Sequence, residues 1–518
     1  MKLEASNPEP LTSYLVKSKS PFAWRGSHLA LWAFATAFFP RVLVALGFPA
    51  VINFLHFLTI PWICWFVLTQ SRSQDAKAFA IARSLLTGLV TLFGIIVASA
   101  ILNDAGVVNV VFSFLLYSEP FMWLLVVVLL PLSTESHIKP SIEPSLNSSI
   151  ESSLNPSIES SFNPSIEPFL NPSTSPPKEL FTKPFTNRFT EPSIKTLKER
   201  SMGQSGDRFS HFRTWWLRFG LINLVFAMVQ AFVLRLDQSN ADNIKGIFIG
   251  QGSGHVVGGS VSLAFAIYYF STAKHQSAWV RSLFIVAALI HLVKCDGKQV
   301  LAVFLTALLL LVLTKVKSLV RFIQYVAIAI VFVGLMVLAA NTVFSALLTW
   351  FDLDIQREGM ELKLAGFSIL PTFYHSPLNW LLGLGPGHSI SRLGGWLVWD
   401  YFDLLQPAGI TVSEASRAVW RVVGQSWLGD RSSWFSPLFG WAGIWGDLGF
   451  AGVGVYLSLW WIVWRRLCSN DLSRFLVLTV LIFGTILTQI EEPGYMLFMT
   501  GIIGLNWHES RLSLHKRR

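Results

Sequence analysis

Two stretches of the 518-residue chain gather residue types that can do chemistry. In SEASRAVWRVVGQ, Ser413 can cap a helix that begins at Glu414, and Gly424 can end it. At the helical period Glu414, Arg417, Arg421 and Gln425 share one face, while Val419, Trp420, Val423 and Trp427 take the other. Two guanidiniums one turn apart can grip diphosphate oxygens in pairs, and a carboxylate one turn before them can take a proton. The same pattern also describes an ordinary amphipathic helix with a solvated Glu414/Arg417 pair. The second stretch, LLGLGPGHSISRLGG, sets Gly383, Gly385 and Gly387 ahead of His388 and Arg392. Glycines let backbone approach a ligand or adopt positive φ, and His388 can accept a hydroxyl proton near neutral pH. A tight turn with a surface histidine has the same pattern. Further on, Asp447 stands near the outer end of an apolar stretch, where a carboxylate is costly and often functional. Lys294 and Lys298, one turn apart in KCDGKQ, can attract anionic headgroups or simply snorkel to the interface; His255 faces the same side.

The elements that must position these residues are membrane helices. Hydrophobic residues make up 52% of the chain and charged residues 14%, against about 25% charged in a soluble domain. A span needs roughly 20 mostly apolar residues. Windows that meet this fall at 28–47, 49–69, 84–103, 115–132, 215–235, 253–271, 278–293, 299–314, 318–340, 437–464, 474–490 and 493–507. The expected fold is therefore an all-α polytopic membrane protein of about 12 transmembrane helices. The first span carries Pro40 and Arg41 and reads as broken or re-entrant. No cleavable signal is expected, since no small-residue cleavage site follows the first apolar run.

The net charge of +10 does not point to nucleic acid, because the excess sits beside apolar runs, as at Lys315, Lys317, Arg321, Arg465 and Arg466. That bias places both termini (1–27 and the basic tail 509–518) in the cytoplasm, along with the loop 133–214. Four consecutive octapeptides fill part of that loop: PSIEPSLN from Pro140, SSIESSLN from Ser148, PSIESSFN from Pro156 and PSIEPFLN from Pro164. Rich in Ser, Pro and Asn, they cannot bury a core and are expected to be disordered. The loop 341–436, between helices 9 and 10, differs in kind. It carries six basic and eight acidic residues and seven of the 21 tryptophans, so it is expected to fold on the outer face and carry the function. Spans at 28–132, 215–340 and 437–508 flank the two loops. Cys64, Cys295 and Cys468 are too scattered for a disulfide framework or a metal site.

The order of these parts, with KCDGKQVLAVFL between two spans, LLGLGPGHS in a long outer loop and then GDLGFAGVGVYLSLWW, resembles the bacterial O-antigen polymerase and O-antigen ligase superfamily. Gly383, Gly385 and Gly387 match that family's G-x-G-x-G stretch. Asp447, Gly449 and Gly452 match its E-x-G-x-x-G, with Asp in place of Glu. The resemblance covers roughly 215–508 in layout. It implies a GT-C-like, metal-independent glycosyltransferase of the bacterial cytoplasmic (inner) membrane, without cofactor. Such an enzyme moves glycan from an undecaprenyl-diphosphate carrier to a sugar hydroxyl on the outer side. On this reading Arg417, Arg421, Arg392, Lys294 and Lys298 hold the diphosphate, and His388, Glu414 and Asp447 supply acid and base. Trp396, Trp399 and Trp427 stack on sugars. Partners would be the lipid-linked oligosaccharide, membrane lipids and other polysaccharide-assembly proteins.

Family ligases usually carry a histidine just before the acidic helix, where this chain reads RSSWFSPLF from Arg431. Polymerisation of repeat units is thus favoured over ligation. A polysaccharide flippase is the competing class. Against it, the halves show no internal repeat, and no paired charges are expected at mid-span.

Overall fold

Breaks in the apolar stretches decide where this chain turns. Proline lacks an amide hydrogen and clashes with the preceding helical turn, and Pro40 ends the first helix early: α1 is Pro21–Phe38 and α2 only Pro40–Ala45. After a 3-10 turn at Ala50–Phe54 come α3 (His56–Gln70), α4 (Ala76–Leu102) and α5 (Val107–Leu129). Next are α6 (Glu191–Met228), α7 (Gly254–Thr272), α8 (Ala278–Lys294) and α9 (Lys298–Leu313). The second long loop holds α10 (Leu353–Ile369), α11 (Leu378–Leu382), α12 (Val398–Leu405) and α13 (Glu414–Gln425). The last three helices are α14 (Gly440–Arg466), α15 (Asp471–Phe483) and α16 (Pro493–Arg517).

This computed structural model describes residues 21–70, 75–132, 191–250, 253–315, isolated positions from 320 to 327, 353–428, 436–437 and 440–517. The octapeptide repeats, most of the expected span at 318–340, and Arg431 lie outside the described residues. The chain divides into a large unit, 1–133 with 206–518, and a small one, 134–205, of which only helical backbone from Glu191 is described.

No strand occurs among the described residues, and five helical segments are long and apolar enough to cross a membrane. They are Ala50–Gln70, Ala76–Leu102, Val107–Leu129, Arg208–Val233 and Gly440–Arg466. The protein is thus an all-helical, membrane-embedded one. Of the twelve expected crossings, the first is broken at Pro40, and α15 has only 13 residues, about 20 Å at 1.5 Å per residue.

In the large unit α4 packs on α14 and α5, α16 on α5 and α7, and α15 on α9. Their shared core is aromatic. Phe34 lies 4.1 Å from Trp216, which stacks at 5.7 Å on both Trp123 and Phe498. Helices α10 and α13 pack with α14, joining Ala365, Leu370 and Ile390 to Ala415, Val419 and Trp445, and α12 packs through Val398 and Leu405 with Phe57 and Leu116. The described part of this loop, 353–428, is therefore folded.

Candidate functional site

The glycine stretch folds as a tight loop whose shape is fixed from the helices around it. Gly383, Gly385 and Gly387 all have positive φ, of 74°, 106° and 71°, a region that a side chain disfavours. At Gly383 a Cβ would also meet the Asp447 carbonyl carbon at 2.3 Å. Asp447 faces the loop and is fully buried. Its carboxylate accepts from the Gly387 and Ser389 amides, each at 2.9 Å, and from Ser389 Oγ at 2.6 Å. Two residues later Gly449 takes φ 63° and breaks α14, and a Cβ there would meet Leu381 backbone at 2.3 Å. The D-x-G pair thus has a local reason: the carboxylate holds the loop, and the glycine lets the helix pass against it.

Two asparagines complete the hold. Asn109 Nδ2 donates to the carbonyls of Pro386 and Thr411, and its Oδ1 accepts from Thr411 N at 2.8 Å. Asn103 donates to Gly383 O and accepts from Asn379. His388 is drawn into this lattice. With Leu384 O 3.1 Å from Nδ1, that nitrogen carries the proton, and Nε2 lies 2.8 Å from Thr411 Oγ1. Burial pushes the imidazole below its ordinary range, partly offset by Asp447, as suits a neutral ring. Expected as acid and base, Asp447 and His388 instead spend their hydrogen-bonding capacity on the loop.

The helix from Glu414 forms where expected. Ser413 Oγ accepts from Ala415 N at 3.1 Å. Ala415, Val419 and Val423 are buried, whereas Glu414, Arg417, Arg421 and Gln425 are exposed. Arg417 is paired with Glu414 at 2.6 Å. This is the solvated-pair arrangement, and none of these three charged residues lines the cavity described below. Lys294 and Lys298 have carboxylates of their own, Asp237 and Asp296, each at 2.8 Å. Trp399 and Trp427 are about half exposed, and the Trp396 side chain lies outside the described residues.

Among the described residues, Arg392 is the one expected site residue that lines this cavity. Its amide donates to Glu491 Oε2 at 2.7 Å, and its Nη1 to Glu491 O at 2.6 Å. Its Nη2 lies 3.4 Å from Glu492 Oε2, and the same oxygen accepts from Arg41 Nη2 at 3.1 Å. One carboxylate oxygen therefore bridges two guanidiniums at the wall of a cavity of about 320 Å³. Asn53, Phe54, His56, Phe57, Asp400 and Tyr401 also line it. His56 is tied through Nδ1 to Glu119 Oε1 at 2.6 Å, both side chains buried. Glu119 is the thirteenth of 23 residues in α5, so a His–carboxylate pair does sit near mid-span, contrary to the sequence expectation. Glu491 and Glu492, between α15 and α16, are buried. Burial pushes the Glu491 carboxyl well above the usual range, although the Arg392 amide pulls it back.

Sequence reasoning missed Arg41, His56, Glu119 and Glu492 as a group. A signal existed for two of them: Arg41 follows the helix-breaking Pro40, and Glu119 interrupts an apolar run. The fold and this cavity define a helical membrane protein with a buried polar site. No protein-family model matches the chain, and no curated protein matches it.

Proposed function

We propose that the protein is a polymerase of lipid-linked glycans that works at the cavity between Arg41, Arg392 and His56. It would transfer glycan from undecaprenyl diphosphate to an acceptor sugar hydroxyl on the outer side of a bacterial cytoplasmic membrane. The proposed topology has twelve crossings, both termini in the cytoplasm and 341–436 outside. The supporting observation is the pair of guanidiniums sharing one carboxylate oxygen beside a His–Glu pair. A position between two guanidiniums suits a phosphoryl oxygen as well as it suits Glu492.

In this mechanism the acceptor oxygen attacks the anomeric carbon and the carbon–oxygen bond to diphosphate breaks. The diphosphate leaves with the electron pair, and Arg41 and Arg392 meet its growing charge. The acceptor's proton goes to His56 Nε2, the nitrogen that Glu119 does not occupy. Glu119 fixes the ring and favours the imidazolium that forms, as a buried carboxylate does behind a general-base histidine. Phe54, Phe57 and Tyr401 offer flat faces for sugar rings.

A flippase is the second reading, favoured by the mid-span His56–Glu119 pair. One experiment separates the two. In polymer-forming cells carrying Arg41→Lys at normal membrane levels, polymer should fall steeply while lipid-linked repeat units accumulate on the outer face. Accumulation on the cytoplasmic face would identify a flippase, and unchanged polymer would remove the cavity from the pathway.

A further inference from the structure

Helix α10 (Leu353–Ile369) has two apolar faces, and among the described residues protein covers one of them. On the covered side Ala365 packs with Ala415 and Val419, and Leu362 with Val423 and Leu428. Both sets belong to the buried face of α13 or its C-terminal turn. On the other side Leu353, Met360, Leu364 and Phe367 lie within about 60° of one another around the helix axis. All four are exposed, from 40% for Phe367 to 83% for Leu353. Arg357 and Glu361, paired at 3.3 Å and exposed, flank this stripe on one side. The layers therefore run from an apolar surface through α10 and α13 to the charged face of Glu414, Arg417 and Arg421.

The apolar surface is continuous with the surface of a spanning helix. Phe367 lies 5.2 Å from Trp445, and Trp380 lies 6.0 Å from the same ring. Trp380 also stacks on Phe450, with an interplanar angle of 11°. Phe450 begins a stripe of exposed apolar residues on α14 that continues through Leu457 and Trp461, spaced as one helix face. In a helix that crosses the membrane, such a stripe meets acyl chains. Trp380, Leu378 and Leu381, all about half exposed, extend it onto α11.

We infer that α10 and α11 lie in the plane of the membrane interface, with the Leu353/Met360/Leu364/Phe367 face and Trp380 immersed among lipid acyl chains. A helix with an apolar face toward lipid and a charged margin toward water binds this way, and tryptophan concentrates at that depth. The outer layer is then a membrane-resting element rather than a domain held in solvent. Its glycine loop is held at the depth where lipid headgroups meet the aqueous phase. The inference stands apart from the choice between polymerase and flippase, since it uses none of the cavity residues.

Nitroxide labels on introduced cysteines test it, because Cys64, Cys295 and Cys468 are all buried. Met360→Cys and Leu364→Cys, labelled in the full-length protein, would be reconstituted in phosphatidylethanolamine/phosphatidylglycerol vesicles. Collisions with oxygen, which partitions into lipid, would be compared with those of a water-soluble nickel chelate. Both labels should show an oxygen-to-nickel ratio several-fold above that of a label at Arg421→Cys and close to that at Leu457→Cys. A ratio equal to that at Arg421 would place the stripe in water and overturn the inference. Shielding from both reagents would show that protein covers the stripe, and would overturn it equally. The original cysteine background supplies a second readout. Lipids brominated on their acyl chains should quench Trp380, so Trp380→Phe should lower the quenchable fraction of emission; no change would count against immersion.

Discussion

The exposed helix α13 and the cavity near Arg41 each hold two arginines and a carboxylate, yet the outcomes are opposite. In α13 the three residues are local, so each guanidinium finds water or its own neighbour, as Arg417 does with Glu414 at 2.6 Å. At the cavity the charges come from α2, the glycine loop and the segment before α16. Arg41 and Glu492 are 451 residues apart in sequence. Their exposure is small, with side-chain values of 18% for Arg41 and 5% for Glu492. Poorly screened charges interact far more strongly than solvated ones. An arginine pair at helical spacing therefore carries less functional information than one brought together by the fold inside the bundle.

Arg392→Lys should have the largest effect among the tests of this contrast. Lysine keeps the charge but cannot reach Glu491 O and Glu492 Oε2 together, as Nη1 and Nη2 do. Each charge-assisted bond lost costs about 1.5–3 kcal/mol, so two amount to roughly a hundredfold or more in rate. Arg41, whose Nη2 meets Glu492 Oε2 at 3.1 Å, should lose about tenfold on the same substitution. Polymer per membrane-inserted protein measures both. Equal, small losses would erase the distinction between the cavity and the exposed helix α13.

Glu119→Gln comes next. The amide can still bond His56 but removes the charge that favours imidazolium, so transfer should fall about 10²-fold with little change in protein level. Transfer within about twofold of the original would leave His56 and Glu119 with a structural part only.

Lys363 on α10 sharpens the contrast. It extends from α10 so that its Nζ donates to Ser436 O at 2.9 Å and to Ile486 O at 2.5 Å. This clasps the layer to the segment that carries Glu491 and Glu492. Burial pushes its ammonium down to about 7 from the ordinary 10.5. The unfolded chain therefore holds more protons between pH 7 and 10.5, and stability should rise with pH across that window. Thermal unfolding in detergent at pH 7 and 9.5 should show the rise in the original protein. Lys363→Met should lose it; an unchanged rise would place its source elsewhere.

Local features of this architecture were legible because neighbouring residues in sequence carry them. Ser413 caps α13, Pro40 breaks the first span, and the glycines of LLGLGPG take the positive φ that their type invites. The described part of the tryptophan-rich loop, 353–428, is folded. The cavity was not legible, since nothing near Arg41 in sequence announces Glu492, 451 residues away. Asp447 misled for a related reason. A carboxylate in an apolar helix signals importance, but whether it touches a ligand or backbone amides is settled only by what the fold sets opposite it.

The smallest expected effect belongs to the α13 arginines. Both Arg417 and Arg421 are exposed, and an i,i+3 pair such as Glu414/Arg417 contributes about 0.2–0.5 kcal/mol to its helix. Lysine has nearly the helix propensity of arginine, so the double variant Arg417→Lys/Arg421→Lys keeps the charge, the helix and the buried Val419 and Val423 face. It loses only the forked geometry. Polymer output should stay within about twofold of the original, since the few tenths of a kcal/mol at stake correspond to less than a factor of three. A loss as steep as that of Arg392→Lys would show that the exposed face closes on substrate in a state of the protein with a different arrangement of α13. The diphosphate would then bind outside the bundle, and the cavity arginines would be left with a structural part.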